Sequence, residues 1–128
     1  MSYIHPKAEQ LVGKIVHGTA ECFVLIRAHT KAPDPSRWQQ GAAVRGHCTL
    51  PIGTAIATFA NGRLLTTSQG GHAAFYVGQD ARGLFVVDQW EAEDKFTIGR
   101  RHLRFAEFLR AREKHAVHDI GDNYSVIE

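Results

Sequence analysis

Apolar and aromatic residues occur in short runs along the chain, and the first of these runs predicts a helix. The run CFVLIRA begins at Cys22, has apolar residues at helical spacing, and is followed by Pro33 and Pro35. Because proline ends a helix, we interpret residues 21–31 as a short helix. A buried strand is the alternative for so short a run.

The strongest local pattern is that of a β-hairpin. Residues 72–78 (HAAFYVG) and 84–90 (LFVVDQW) are both rich in branched and aromatic side chains. The segment between them, QDARG at 79–83, has the length and composition of a hairpin turn. The two runs are therefore predicted to pair as antiparallel strands.

Weaker patterns complete a sheet around that hairpin. They predict strands at 54–59, 97–105 and 124–127, a loop with a short helical turn at 34–45 anchored by Trp38, and a helix at 106–115. One early helix followed by hairpin-linked strands is typical of an α+β fold with an antiparallel sheet.

Length and composition favour an ordinary globular domain. The 128 residues suit a single domain over residues 1–128, and 44% hydrophobic with 22% charged residues argues against disorder. No apolar run approaches the ~20 residues needed to span a bilayer. The first ten residues lack the apolar core of a signal peptide. Membrane insertion and a cleaved signal are therefore not expected.

The formal net charge of +2 decides little about partners. Most of the basic excess lies in one stretch, the basic segment, whose cations are Lys95, Arg100, Arg101, Arg104, Arg110, Arg112 and Lys114. The basic segment is interpreted as a solvated face, with a substrate or partner surface as the alternative. It contains neither a nucleic-acid-binding motif nor an aromatic stacking platform. Nucleic acid is therefore not expected as a partner.

Two cysteines, Cys22 and Cys48, are too few for a disulfide framework but enough for one bridge in an oxidising compartment. No Cys-x-x-Cys pair occurs, so neither a thiolate zinc site nor any cofactor is predicted. Cys22 stands at the predicted helix start, where the positive end of the helix dipole favours the nucleophilic thiolate. A packing role is the alternative, because cysteine is among the most buried residue types.

Two further residues complete a candidate catalytic set with Cys22. His72 opens the first strand of the hairpin, and an unperturbed histidine pKa of about 6.5 suits proton transfer with a thiol. Asp88 lies late in the second strand, so the hairpin makes it a cross-strand or diagonal neighbour of His72. An acid there would hold the imidazole tautomer and support the imidazolium. Taken singly, a surface histidine and a solvent-facing carboxylate are the simpler interpretations.

The residues that flank this set are the candidates for substrate contact: Glu21, Gly71, Gln89 and Trp90. Alternation puts Gln89 on the strand face opposite Asp88 and returns Trp90 to the face of Asp88. There Trp90 either walls a cleft or packs in the core. The other histidines are interpreted as surface residues: His5, His17, His29, His47, His102, His115 and His118.

In combination, these segments resemble the NlpC/P60-like, papain-related cysteine amidases. The sequence AECFV around Cys22 is similar to the cysteine segment of that family. GTAIATF (53–59), GHAAFYVG (71–78), VDQW (87–90) and YSVI (124–127) look like a small bacterial branch, the BPSL0067-type proteins. That branch includes or lies near type VI secretion amidase effectors, and the resemblance covers most of the chain.

The resemblance implies a papain-like fold in which the N-terminal helix carries the cysteine and packs on the antiparallel sheet. By the same resemblance Cys22 is the nucleophile, His72 the general base and Asp88 the third member of a triad. The implied substrate is the peptide stem of bacterial peptidoglycan. For an effector of this kind, the resemblance also implies export by a secretion system, action in the periplasm of a target cell, and a cognate immunity protein.

One position departs from the family's pattern. Papain-like enzymes often place a glutamine upstream of the cysteine as an oxyanion donor, whereas Glu21 directly precedes Cys22 here. An ionised carboxylate cannot donate, so the oxyanion hole is expected to use the Cys22 backbone N–H and another amide. Two other functions remain open: a binding module of the same fold whose chemistry has decayed, and a cysteine peptidase or deamidase that acts on a protein.

Overall fold

An antiparallel sheet organises the chain, and one α-helix lies against a face of it. The computed structural model describes residues 2–16, 21–90, 97–110 and 115–128. Helix α1 spans Cys22–His29, and no helix in the described ranges has the length and apolar character needed to cross a bilayer. The strands are β1 Gln40–Ala43, β2 Ala55–Ala60, β3 Arg63–Leu64, β4 Ala73–Gln79, β5 Gly83–Asp88, β6 Gly99–Arg104 and β7 Tyr124–Ile127.

The sheet has the order β1-β7-β2-β4-β5-β6, with β3 paired to β2, and the strand pairs among the described residues are all antiparallel. In the β4–β5 hairpin Phe75 lies opposite Val87. On the other side of β5, Val86 lies opposite Arg101 and Asp88 opposite Gly99. The end of β5 is therefore flanked by β4 and β6, and this is where the candidate site lies.

Both faces of the sheet are buried. Leu25 and Ile26 of α1 pack on one face, together with Phe75. On the other face, Tyr76 packs in a cluster with Tyr124. Because both faces are covered, β4 and β5 have nearly continuous apolar sequences rather than a strict alternation.

Most of these elements agree with the predictions from the sequence. The predicted helix at 21–31 is α1, and the strands predicted at 54–59, 72–78, 84–90, 97–105 and 124–127 are β2, β4, β5, β6 and β7 with small shifts at their ends. The predicted α+β fold, with the helix that carries Cys22 packed on an antiparallel sheet, is confirmed.

Two strands were not predicted, the two-residue β3 and the longer β1. The segment expected to be a loop contains the expected turn at Pro35–Arg37 and a buried Trp38, but Gln40–Ala43 then forms β1. β1 pairs with β7 at the edge of the sheet, where Gln40 lies opposite Ile127. Its side chains are mostly exposed, so no period-two pattern marks the strand, and it forms through backbone pairing.

The predicted helix at 106–115 is wrong over its described part. Ala106–Phe108 forms one 3₁₀ turn, after which Leu109 is extended, and residues 111–114 lie outside the described ranges. Asp122 Oδ1 accepts the Ala106 backbone N–H at 2.8 Å, and Phe108 is 39% exposed. Phe105 is buried but Phe108 is not, so little packing supports a helix beyond Phe105, and a short helix without such packing is marginal.

The N-terminal segment docks where β2 begins, through close backbone contacts. His5 N–H donates to the Gly53 carbonyl at 2.9 Å, and Ala55 N–H donates to the Tyr3 carbonyl at 2.8 Å. Gly53 has a φ of +94°, and a Cβ at that position would lie 2.1 Å from the His5 carbonyl oxygen. Only glycine combines this backbone conformation with this approach.

Gly53→Ala is expected to lower the free energy of unfolding by about 3 kcal/mol or more, because positive-φ strain adds to the clash with His5. Gly62→Ala is the matched control, since its φ is +80° and nothing lies within 4 Å of the added Cβ. The control is expected to lose only about 1 kcal/mol. Urea denaturation measures both, and equal losses would contradict the docking of the N-terminal segment.

Candidate active site

The candidate nucleophile, Cys22, is the first residue of α1 and is only 5% exposed. The residue before it, Glu21, has extended backbone and is the N-cap of the helix. The Glu21 carbonyl accepts from Val24 N–H at 3.1 Å and from Gln89 Nε2 at 3.0 Å. Gln89, just beyond β5, is fully buried, so this bond ties the start of the helix to the sheet and sets the position of the thiol.

The backbone of His72 is fixed where the chain enters β4. Its N–H donates to Oγ1 of buried Thr58 at 3.0 Å, and its carbonyl accepts from the Thr58 N–H at 3.0 Å. The preceding Gly71 donates to the Thr66 carbonyl at 2.7 Å, and a Cβ on Gly71 would lie 2.2 Å from the Leu65 carbonyl oxygen. Gly71 is therefore required for a close approach of two backbone segments, and that approach orients His72.

Asp88 ends β5 and lies between His72 and Arg101. Continuing the register from Phe75 opposite Val87 places His72 diagonally across from Asp88, and the β5–β6 register places Arg101 diagonally on the other side. Asp88 Oδ2 lies 2.7 Å from His72 Nε2. The same oxygen accepts from Arg101 Nη2 at 2.6 Å and from Arg101 Nε at 3.0 Å. The structure thus brings His72 and Asp88 together as the hairpin predicts, and Asp88 is fully buried.

The charges of the site follow from these contacts. Since Nε2 of His72 is engaged with Asp88, Nδ1 is the ring nitrogen that remains for the hydrogen bond with Cys22. Burial lowers the pKa of His72, but the hydrogen bonds and charges of Asp88 and Cys22 outweigh burial and raise the pKa to about 9. Burial raises the pKa of Asp88, and His72 and Arg101 together hold that pKa below its usual value. At neutral pH the site therefore pairs a cationic His72 with an anionic Asp88.

A cleft of about 460 Å³, the active cleft, opens over these residues. Its walls contain Cys22 and His72, the predicted contacts Glu21, Gly71 and Trp90, and also Thr67, Arg101, His118 and Asp119. Trp90 takes the cleft-wall position, with the Arg101 guanidinium 4.5 Å from its ring centre. Gln89, also predicted to contact substrate, does not line the active cleft, and its side chain supports the helix start.

Arg101 is the largest departure from the sequence prediction, because it belongs to the site and not to a solvated face. Along β6, Arg100 and Arg104 are exposed as predicted, whereas Arg101 lies on the same strand face as buried Leu103. This alternation was the available signal: an arginine on the buried face of a strand requires an anion, here Asp88. Three cations of the basic segment lie outside the described residues: Lys95, Arg112 and Lys114.

His118 lines the active cleft, a position that the sequence does not indicate, and its ring centre lies 5.7 Å from that of His72. The backbone there is held by Tyr124 at the start of β7, whose hydroxyl donates to the His118 carbonyl at 2.7 Å. Burial lowers the pKa of His118, and the charge of Asp119 only partly offsets this effect. No local pattern marks His118, because its position depends on how the segment before β7 folds back over the sheet.

The second cysteine takes no part in this site. Cys48 is exposed, and its Sγ lies 3.4 Å from the Gly46 carbonyl oxygen. Both cysteines are free thiols, so the alternative of a Cys22–Cys48 bridge is not realised. Within the part of the chain that the structure describes, no group of three or more histidine, cysteine, aspartate or glutamate side chains is arranged to hold a metal ion.

Comparisons with known proteins point to one family. Residues 2–127 match the family described as domesticated amidase effector 2, Dae2. A type VI secretion amidase effector 2 protein of Salmonella typhi is 40% identical over 106 residues, which cover 81% of this chain and 80% of that protein. A domesticated amidase effector 2 of Ixodes scapularis is 30% identical over 114 residues, which cover 84% of this chain and 70% of that protein.

The fold agrees with a solved structure as well. The chain is similar to a type 6 secretion amidase effector 2, Tae2, with a TM-score of 0.85 and 32% sequence identity. The match covers 98% of this chain and 94% of that one. The papain-like α+β fold is therefore shared over nearly the whole length of both proteins.

The raised pKa of His72 predicts a pH-dependent contribution to stability. Because the folded value of about 9 exceeds the unfolded value of 6.5, protonated His72 stabilises the fold fully below about pH 6.5. That contribution is lost as the pH rises through about 9. Urea denaturation from about pH 6 to about pH 10 should show wild type losing roughly 2 to 3 kcal/mol more than His72→Asn. If the free energy of unfolding changed with pH in the same way for both proteins, the raised pKa of His72 would be contradicted.

Arg101→Gln should remove one of the two cations that neutralise Asp88. We expect the free energy of unfolding to fall by about 2 to 3 kcal/mol, because a buried carboxylate loses its partner. Arg101→Lys should recover part of that loss, since it keeps the charge but not the forked geometry. Arg104→Ala, on the exposed face of β6, is the control and should change stability by less than about 0.5 kcal/mol. A loss for Arg101→Gln no larger than the control's would contradict the role given to Arg101.

Proposed function

The chain belongs to the domesticated amidase effector 2 family, and from that premise we propose that it uses Cys22 to hydrolyse an amide bond in the stem peptides of bacterial peptidoglycan. Family membership makes the protein an amidase. The observation that supports a cysteine mechanism is the alignment of three side chains. His72 lies 2.7 Å from Asp88 through Nε2 and hydrogen bonds to Cys22.

Acylation begins with the Cys22 thiolate, which the cationic His72 stabilises. The sulfur attacks the carbonyl carbon of the amide, and the carbonyl oxygen becomes an oxyanion. The Cys22 N–H at the start of α1 is the proposed donor to that oxyanion. Gln89 is not the second donor, because it does not line the active cleft. The C–N bond then breaks, His72 gives its proton to the leaving amine, and a thioester remains on Cys22.

Deacylation uses the same residues, but His72 now acts as a base and not as an acid. The now neutral His72 takes a proton from a water molecule, whose oxygen attacks the thioester carbonyl. The C–S bond breaks, the acid product leaves, and the thiolate and imidazolium are regenerated. Asp88 keeps the ring oriented throughout and stabilises its cationic form.

The biological setting is also part of the proposal. The relative from Salmonella typhi is named a type VI secretion amidase effector, which supports export by such a system and action in the periplasm of a target cell. A cognate immunity protein that covers the active cleft is the proposed partner.

We further propose that residues 1–128 act as one amidase domain, supported by the family match over 2–127. Placement in the BPSL0067-type branch rests on the GTAIATF, GHAAFYVG and VDQW segments.

The geometry favours this function over a decayed binding module. In a decayed site, the buried Asp88 and the contact between His72 and Cys22 would serve no purpose, yet burying a carboxylate is costly. Glu21, the departure from the family pattern, is exposed and makes no side-chain bond to the helix it caps. It therefore lies at the mouth of the active cleft without disrupting the contacts of His72.

Purified protein incubated with peptidoglycan sacculi is expected to release stem-peptide fragments that mass spectrometry identifies. Cys22→Ala should abolish release, while the matched variant Cys48→Ala should retain it, because Cys48 is exposed and lies outside the active cleft. The rate should also decline as the pH passes about 9, where His72 loses the proton that the leaving amine requires. Release by Cys22→Ala, or none by folded and reduced wild type, would contradict the proposal.

A further inference from the structure

A second groove, of about 540 Å³, adjoins the active cleft. The two share Glu21 and Thr67 as wall residues, so they meet beside the nucleophile. The residue after Cys22, Phe23, also lines the second groove. The chain around the nucleophile thus contributes to both spaces, which makes the second groove a continuation of the active cleft.

The base of the second groove is apolar and rigid. Trp38 is only 4% exposed, and its Nε1 donates to the Pro33 carbonyl at 2.9 Å. The Phe23 ring meets the Trp38 ring edge-on, with 5.3 Å between the ring centres. Leu64 of β3 adds a further apolar wall. Such a surface suits the hydrocarbon part of a side chain or peptide.

The charge of the second groove comes from its rim. Among the described residues that line it, the charged ones are Glu21, at the junction with the active cleft, and Arg63. Arg63 is exposed on β3, opposite Ala60 of β2. The turn between them has positive φ at both Asn61 and Gly62, as tight hairpin turns require. The hairpin therefore presents the guanidinium from a rigid support, and a guanidinium pairs well with a carboxylate.

Contacts with a peptide on both sides of the scissile bond position the amide for attack. The active cleft holds the reacting groups, and the second groove leads away from Cys22 on the side of Glu21. We propose that the second groove is a substrate subsite for a peptide arm that bears a free carboxylate, with Arg63 binding the carboxylate and the Trp38–Phe23 base contacting its apolar part. This assignment rests on the proposed function.

The test compares two probes on three proteins, with Arg63→Lys as a fourth, conservative variant. The probes are purified stem peptides from sacculi with native carboxylates, and the same peptides with the carboxylates converted to methylamides. The proteins are wild type, Arg63→Ala, and Arg104→Ala as a control that removes the same charge from a residue lining neither space. Arg63→Ala is expected to raise the KM for native peptides about five- to tenfold with little change in kcat. Arg63→Lys should recover part of this effect.

The discriminating readout is the response to methylamidation. Wild type and Arg104→Ala should lose several-fold in kcat/KM on the methylamide probe, whereas Arg63→Ala should discriminate less between the two probes. Equal discrimination by Arg63→Ala and wild type would overturn the subsite.

A second measurement separates this proposal from the catalytic one. Titration of the native peptides into Cys22→Ala protein, with and without Arg63→Ala, measures binding without turnover. Weaker binding when Arg63 is removed supports the subsite even if wild type hydrolyses nothing, and unchanged binding overturns it even if wild type is active.

Discussion

The fully buried carboxylate of Asp88 is the constraint on which the site depends. A buried carboxylate is stable only when it is paired, and Asp88 accepts hydrogen bonds from His72 on the β4 side and from Arg101 on the β6 side. The two cations, Arg101 and His72, have different roles. Arg101 helps to keep Asp88 anionic, and the anion keeps His72 protonated beside Cys22. The sheet therefore supplies more than a scaffold, because its register across β4, β5 and β6 sets the charge of the group that transfers the proton.

The central parts of this arrangement follow from short-range rules and were predictable. The β4–β5 hairpin places the start of β4 beside the end of β5, so the proximity of His72 and Asp88 was predictable. The sequence did not reveal the shift in register between Tyr76 and Gly78, which puts the two side chains on one face of the sheet. Cys22 was predictable because an apolar run of helical spacing starts there and ends before two prolines. The resemblance to cysteine amidases assigned roles to these residues, and family membership supports the amidase activity.

The features that the sequence did not reveal depend on contacts between distant segments. β1 forms because β7 offers a free edge to pair with, and a strand with exposed side chains has no periodicity of its own. His118 reaches the active cleft because the Tyr124 hydroxyl holds its backbone. The role of Arg101 was missed because the cations around it in the sequence resemble a solvated face. Strand alternation along β6 separates the inward side chain of Arg101 from the outward ones. The predicted helix after Phe105 failed because little packing supports a helix beyond that residue.

The most direct test of whether Asp88 sets the charge of His72 is an NMR titration of the His72 imidazole nitrogens in wild type and in Asp88→Asn. In wild type the expected pKa of His72 is about 9, with Nε2 protonated toward Asp88. In Asp88→Asn the carboxylate no longer offsets burial, so the pKa should fall by at least about two units. A wild-type pKa near the ordinary 6.5, or one that Asp88→Asn leaves unchanged, would contradict the claim that Asp88 sets the charge of His72.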